Sequence, residues 1–167
     1  WYGYHEAYGT LRSWREGAVH NYTQRRMMWF VEWAARKWPV DRNRILVTGE
    51  RGTPGSGAMH LGFRYPDVFS MIQCHTGTPD FAAGVTTLAS TRAGRYAPAV
   101  QRLFGKVEWQ LKADTGRTIW DETNCLRTIR DAPAAADFPF LTESSAKGVY
   151  QPTRDLYLAM LERGHPL

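Results

Sequence analysis

An α/β fold, with a parallel sheet flanked by helices, is the class this chain predicts, and three observations predict it. Helix-periodic segments alternate with short apolar runs of strand length. One such run, Ile45–Thr48, passes through a glycine-dense turn straight into a second helical segment. Helix, strand, helix, strand, excursion, strand and helix then follow one another, the order of a parallel sheet with crossover helices. That layout sets reactive groups at the C-terminal edge of the sheet, where open α/β folds bind their ligands.

Asn21 to Trp38 is the clearest helix. Met27, Val31, Ala34 and Trp38 recur at helical spacing, while Arg25, Arg26, Glu32, Arg36 and Lys37 supply a polar side. Asn21 or Thr23 can cap its first turn, and Pro39 stops it. Core packing is therefore the expected role of Trp38. After the strand and its turn, Gly57 to Arg64 reads as a helix ending before Tyr65-Pro66. Val68 to His75 is the second strand, and Cys74 within it reads as a small buried hydrophobe. Residues 81–135 have weak periodicity and read as a loop-rich, cap-like excursion, with a helix near Pro98–Phe104 and a turn at Asp114–Gly116. Asp137–Thr142 is the third strand, and Asp155–Arg163 the last amphipathic helix.

The chain has 167 residues, enough for one domain with a real core, and 43% of them are apolar. Its formal charge is +5, but the arginines are dispersed among Glu and Asp without a run of five or six. A solvated surface is expected, with no nucleic-acid partner. No stretch approaches the ~18–20 apolar residues of a membrane span. Cys74 and Cys125 form no CxxC pair and suggest no metal site. The chain opens at Trp1-Tyr-Gly-Tyr without an initiator Met. The expectation is that the parent N-terminus precedes it, which leaves the compartment open, secreted or periplasmic included.

The glycine-dense turn, Gly49-Glu-Arg-Gly-Thr-Pro-Gly-Ser-Gly57, has two nucleotide-loop readings to test. Gly52 and Gly57 have Walker spacing, but Ala58 and Met59 replace the Lys-Ser/Thr pair that reaches the phosphates. Gly55-Ser-Gly57 is followed by His60 where a dinucleotide loop needs its third glycine. No cofactor is expected.

Several phrases point elsewhere: Asn21-Tyr-Thr-Gln-Arg-Arg26, Val40-Asp-Arg-Asn-Arg-Ile45, Gly55-Ser-Gly-Ala-Met59, Arg64-Tyr-Pro-Asp-Val-Phe69 and Asp137-Phe-Pro-Phe140. Together they resemble α/β-hydrolases of the esterase and polyhydroxyalkanoate-depolymerase type. In that family, wording like VD-x-x-RI-x-x-x-G-x-S-x-GG-x-GA precedes YPD-x-F. The resemblance is specific over residues 19–75 and loose over 115–167. It implies that the chain is a partial α/β-hydrolase-like domain, with Ser–Asp–His acyl transfer in the family and an ester or polysaccharide-type substrate for the parent protein. It also implies that the N-terminal strands, and the strand preceding the catalytic histidine, lie outside these residues. Those missing strands would come from the rest of the parent chain or from an oligomer.

The family's nucleophile sits on a sharp strand-to-helix turn between close-packing glycines. Counted from the strand, Arg51 fills that position, and the turn carries one residue more than the family pattern. Thr53 keeps a glycine two residues later, and Ser56 aligns with the small residue of the helix's first turn; these are the nucleophile candidates. Gly148 falls near the expected aspartate, so Glu143 and Asp155 are the nearest acid candidates. His75 stands at a strand end, and His60 and His165 lie in or near helices; the sequence assigns none of them the role of base. Trp109 and Trp120, within the excursion, are the substrate-facing aromatic candidates. The expectation is an esterase-like chain without triad-dependent activity. The alternative is a degenerate hydrolase fold acting as a carbohydrate- or protein-binding module.

Overall fold

The computed structural model describes residues 1–86, 97–144 and 151–165. A short antiparallel ribbon opens the chain, β1 (Tyr4–His5) against β2 (Val19–His20). Helix α1 (Tyr22–Lys37) leads to β3 (Leu46–Gly49), α2 (Gly52–Arg64) and β4 (Met71–His75). Four short helices follow: α3 (Phe81–Thr86), α4 (Ala97–Phe104), α5 (Ile119–Glu122) and α6 (Cys125–Asp131). Strand β5 (Phe140–Ser144) and helix α7 (Gln151–Glu162) complete the order. The three longer strands form a parallel sheet in the order β3-β4-β5, flanked by helices, so the fold is mixed α/β.

Register explains the core. Val47, Ile72 and Leu141 lie side by side, and so do Gly49, Cys74 and Glu143. On that face Ile72, Cys74 and Leu141 pack with Met59 and Phe63 of α2, Cys125 and Ile129 of α6, and Leu156, Ala159 and Met160 of α7. Alternate residues project from the opposite face, since strand side chains alternate. There Leu46 is 48% and Phe140 42% exposed, and Thr48, Gln73 and Ser144 are exposed as well. Parallel sheets are ordinarily covered on both faces; this one is open on one.

A second core holds Tyr2, Val19, Phe81, Val100, Phe104, Ile119 and Trp120. Helix α2 joins the two. His60 stacks on Phe81 at 4.5 Å, meets the Cys125 thiol at 3.3 Å and meets the Thr78 carbonyl at 3.2 Å. A carbonyl only accepts, so Nε2 carries the proton and Nδ1 receives the thiol's hydrogen bond. Burial, with the N-terminal amino group and Arg64 nearby, pushes the His60 pKa down to about 3, and burial pushes the Cys125 thiol up. The pair is a neutral, buried link.

Several expectations change. Helix α2 starts at Gly52 and not Gly57, because Pro54 falls in the first turn, where its missing N–H leaves no bond unmade. Strand β4 starts at Met71, three residues later than expected, because Val68 N–H is taken by a turn onto the Tyr65 carbonyl. Among α1 residues only Gln24 is buried; Trp29, Phe30 and Trp33 are exposed among the arginines, and Trp38 is exposed with them, not in the core. Asn21 occupies the N-cap position of α1 without capping it, because its side-chain amide turns to Gln24 and Tyr65. The described part of 81–135 is largely short helices, of which α3, α4 and α5 build the second core and α6 packs against the sheet. Pieces of four to eight residues are too brief for periodicity to register. No helix among the described residues is long and apolar enough to cross a membrane.

Helix α2 ends in a buried ion pair. Arg64 Nη1 donates to Glu122 Oε2 at 2.7 Å, and Arg64 Nη2 donates to the Glu122 carbonyl. Thr115 donates to the other carboxylate oxygen at 2.9 Å, and the guanidinium lies 4.9 Å over the Tyr2 ring. Arg117 Nε lies 3.6 Å from the same carboxylate, and removing Arg64 leaves the buried Glu122 to that longer, more exposed ion pair. Arg64→Leu is expected to lower stability in urea unfolding by about 2–3 kcal/mol, below the ~3–5 kcal/mol of a fully stranded charge, with Glu122→Leu added to it restoring part of the loss. An unchanged unfolding midpoint in Arg64→Leu would show that the pair carries no weight.

Candidate functional site

The C-terminal edge of the sheet is where three strand ends meet. Beyond β3 the chain runs through Glu50 to Arg51, whose φ of 61° and ψ of 128° turn it sharply into α2. Helix and sheet lie very close at this turn. A Cβ on Gly49 would stand 2.1 Å from the Pro54 carbonyl oxygen, and one on Gly55 would stand 2.6 Å from that of His75. Glycine is therefore required at both. Arg51 sits at the apex of the elbow with its side chain exposed.

Hydrogen bonds lace the strand ends together. Gly52 N–H donates to Thr76 Oγ1 at 2.9 Å, and Thr76 N–H donates to the Ser144 carbonyl at 2.9 Å. Ser56 is 2% exposed. Its hydroxyl donates to the Gly52 carbonyl at 2.8 Å and accepts from Thr78 N–H at 2.8 Å. Both roles of that oxygen are filled, so Ser56 brackets α2 to the turn after β4. Thr53 is half-buried in the first turn of the same helix.

The acid candidates do not converge on these hydroxyls. Glu143 projects from the covered face, where Tyr157 OH donates to it at 3.3 Å. Burial raises its pKa to about 6, with the Tyr157 hydrogen bond opposing. Asp155, in α7, accepts from Gln151 at 2.6 Å within its own helix. Gly148 lies outside the described residues. Of the histidines, His60 is buried and neutral, and His165 meets the Phe138 carbonyl at 2.5 Å.

His75 has a different partner. Its Nδ1 lies 2.5 Å from Ser144 Oγ, across the β4–β5 register on the open face. With the serine as donor, His75 can receive the Ser144 proton. Among the described residues no carboxylate hydrogen-bonds to the His75 ring. His75 stands out in the sequence at a strand end. Ser144 does not, because only the strand register places it opposite.

The two tryptophans part company. Trp120 is 4% exposed and packs edge-on against Phe104 in the second core. Trp109 is 49% exposed and faces Trp14 with ring centroids 6.1 Å apart. Among the described residues no three His, Cys, Asp or Glu side chains are grouped to hold a metal ion. No protein-family model matches this chain, and no curated protein is significantly similar to it.

Two outcomes follow from this geometry. Glu143 takes up its proton more readily folded (about 6) than unfolded (4.5), so its contribution is complete below pH ~4.5 and lost as pH rises through about 6. Glu143→Gln keeps a neutral acceptor for Tyr157 and is expected to be more stable than the wild type at pH 7, by up to ~2 kcal/mol, with the difference vanishing near pH 4. Equal urea midpoints at both pH values would contradict this. Arg51 occupies a backbone region that side chains disfavour, so Arg51→Gly is expected to gain about 1 kcal/mol, read as a higher melting temperature.

Proposed function

We propose that this chain is part of an α/β-hydrolase-type protein related to carboxylic-ester hydrolases, in which the scaffold binds a ligand and does not cleave it at the elbow. The observation that carries the reading is Arg51, which holds the apex of a strand–helix turn at φ 61° where a nucleophile would stand. A guanidinium cannot act as an acyl-transfer nucleophile. The two nearby hydroxyls do not replace it, since Ser56 is buried with both of its roles filled and among the described residues no histidine hydrogen-bonds to Thr53. The open sheet face, and the single neighbour of β3 among the described residues, support a further layer supplied by more of the parent protein or by an oligomer.

A second reading is favoured by one observation, the His75–Ser144 pair. In it, Ser144 Oγ adds to an ester carbonyl while its proton passes to His75. That proton then leaves with the alkoxide as the acyl-serine forms, and water later releases the acid.

Hydrolysis of p-nitrophenyl acetate separates the two. The leading reading expects turnover at the buffer rate for the wild type and for Ser56→Ala, Thr53→Val and Ser144→Ala alike. Turnover abolished by Ser144→Ala would transfer the activity to the second reading. Turnover abolished by Ser56→Ala or Thr53→Val would place the nucleophile back in the elbow.

A further inference from the structure

A groove of about 560 Å³ lies between the loop after β1 and the turn after α4, lined by Trp14, Arg15, Gly17, Trp109, Gln110 and Lys112 among others. It shares no residue with the sheet's C-terminal edge. Its two indoles stand at 52° with centroids 6.1 Å apart, forming an open V. Each is backed from behind. His5, fully buried, stacks on Trp14 at 4.7 Å. Trp109 lies against Gly105, where a Cβ would stand 2.9 Å from its ring, and the Lys106 ammonium is 5.9 Å from its centroid.

The backbone that presents Trp109 is unusual. Val107–Trp109 form a single 3-10 turn that ends at Gln110 with φ 48° and ψ 41°, a left-handed conformation uncommon outside glycine. The Gln110 side chain donates back to the Val107 carbonyl at 2.7 Å and holds it there. Rigid, half-exposed aromatic faces of this kind present flat apolar area to a ligand with little ordering cost.

The charge on the groove narrows the ligand. Arg15 and Lys112 line it, and among the described residues neither makes an ion pair. Glu16 and Glu108 are neighbours in sequence, but neither lines the groove. A neutral sugar would use the indoles and leave both cations idle. An extended hydrocarbon would likewise make no use of them.

We propose that this groove binds a sugar ring carrying a carboxylate, as in an acidic polysaccharide, with its C–H face on Trp109 and Trp14 and its carboxylate toward Arg15 and Lys112. The inference rests on the binding-module reading of the chain and names its ligand class. Because the groove and the elbow share no residue, failure of sugar binding leaves the outcome of ester hydrolysis unaffected.

The test is titration of the 167-residue chain with trigalacturonate, followed by tryptophan fluorescence and calorimetry, with galactotriose as the neutral counterpart. The expected result is saturable binding of trigalacturonate that weakens with added salt, and at least about tenfold weaker binding of galactotriose (roughly 1.4 kcal/mol). Trp109→Ala is expected to weaken trigalacturonate binding by about tenfold or more. Lys112→Gln, an exposed change that does not touch the core, should weaken trigalacturonate several-fold and leave galactotriose unchanged. Absent binding to about 10 mM, equal affinity for the two sugars, or an unaffected Lys112→Gln would each overturn the proposal. So would an oligothymidylate that displaces trigalacturonate at equal or lower concentration.

Discussion

The contact on which the molecule depends is that between the first turn of α2 and the ends of β3 and β4. It has room for no side chain at Gly49 or Gly55, so the helix axis is fixed against the sheet at its start. Everything further along α2 inherits that placement. Ser56 clamps the first turn to the loop after β4, and His60 reaches both cores. At the far end Arg64 closes onto Glu122 and Tyr2. The helix thus positions the elbow, joins the two hydrophobic clusters and anchors the N-terminal ribbon. The cost of so close a fit falls on Arg51, the residue that must turn the chain, which is held in a backbone region unfavourable to any side chain.

What is legible in the sequence is what local chemistry decides. Apolar runs mark β3 and β4, and the cluster of glycines marks the elbow, because close packing and sharp turning demand that residue whatever the surroundings. Arg51 can be placed by counting from the strand. The rest depends on contacts between distant segments. Trp38 reads as part of the apolar stripe of its helix, yet it is exposed, since α1 buries little beyond Gln24. Trp109 and Trp120 are indistinguishable in the sequence, yet one lines a groove and the other fills a core. Ser144 becomes visible as a partner of His75 only once the parallel register sets them side by side. The ribbon β1–β2, two residues a side, lies below the length at which alternation can be read.

Burial divides the titratable groups by the face they occupy. On the covered face and in the interface between the cores, desolvation disfavours the charged forms of Cys74, Glu143, His60 and Cys125. It raises the Cys74 thiol to about 12, with Glu143 adding to the effect, raises Glu143 to about 6 and lowers His60 to about 3. At neutral pH Cys74 and His60 are held in their neutral forms, and His60 Nδ1 accepts from the Cys125 thiol. A nucleophile needs the opposite setting: access to substrate and a partner able to take its proton near neutral pH. Neither cysteine has it, and Ser56 does not either.

The polar groups that retain freedom lie instead on the exposed side. Arg51 stands at the elbow, Ser144 with His75 at the strand ends, and Arg15 with Lys112 beside the indoles. The sheet therefore sorts structural from available chemistry by geometry alone. A residue's place in the strand alternation decides which side it falls on, and a one-residue slip in β5 would exchange Ser144 for Glu143. Helix α2 begins at Gly52, directly after the turn at Arg51. That start places the hydroxyls of Thr53 and Ser56 within the helix, beyond the residues of β3 that pair with β4.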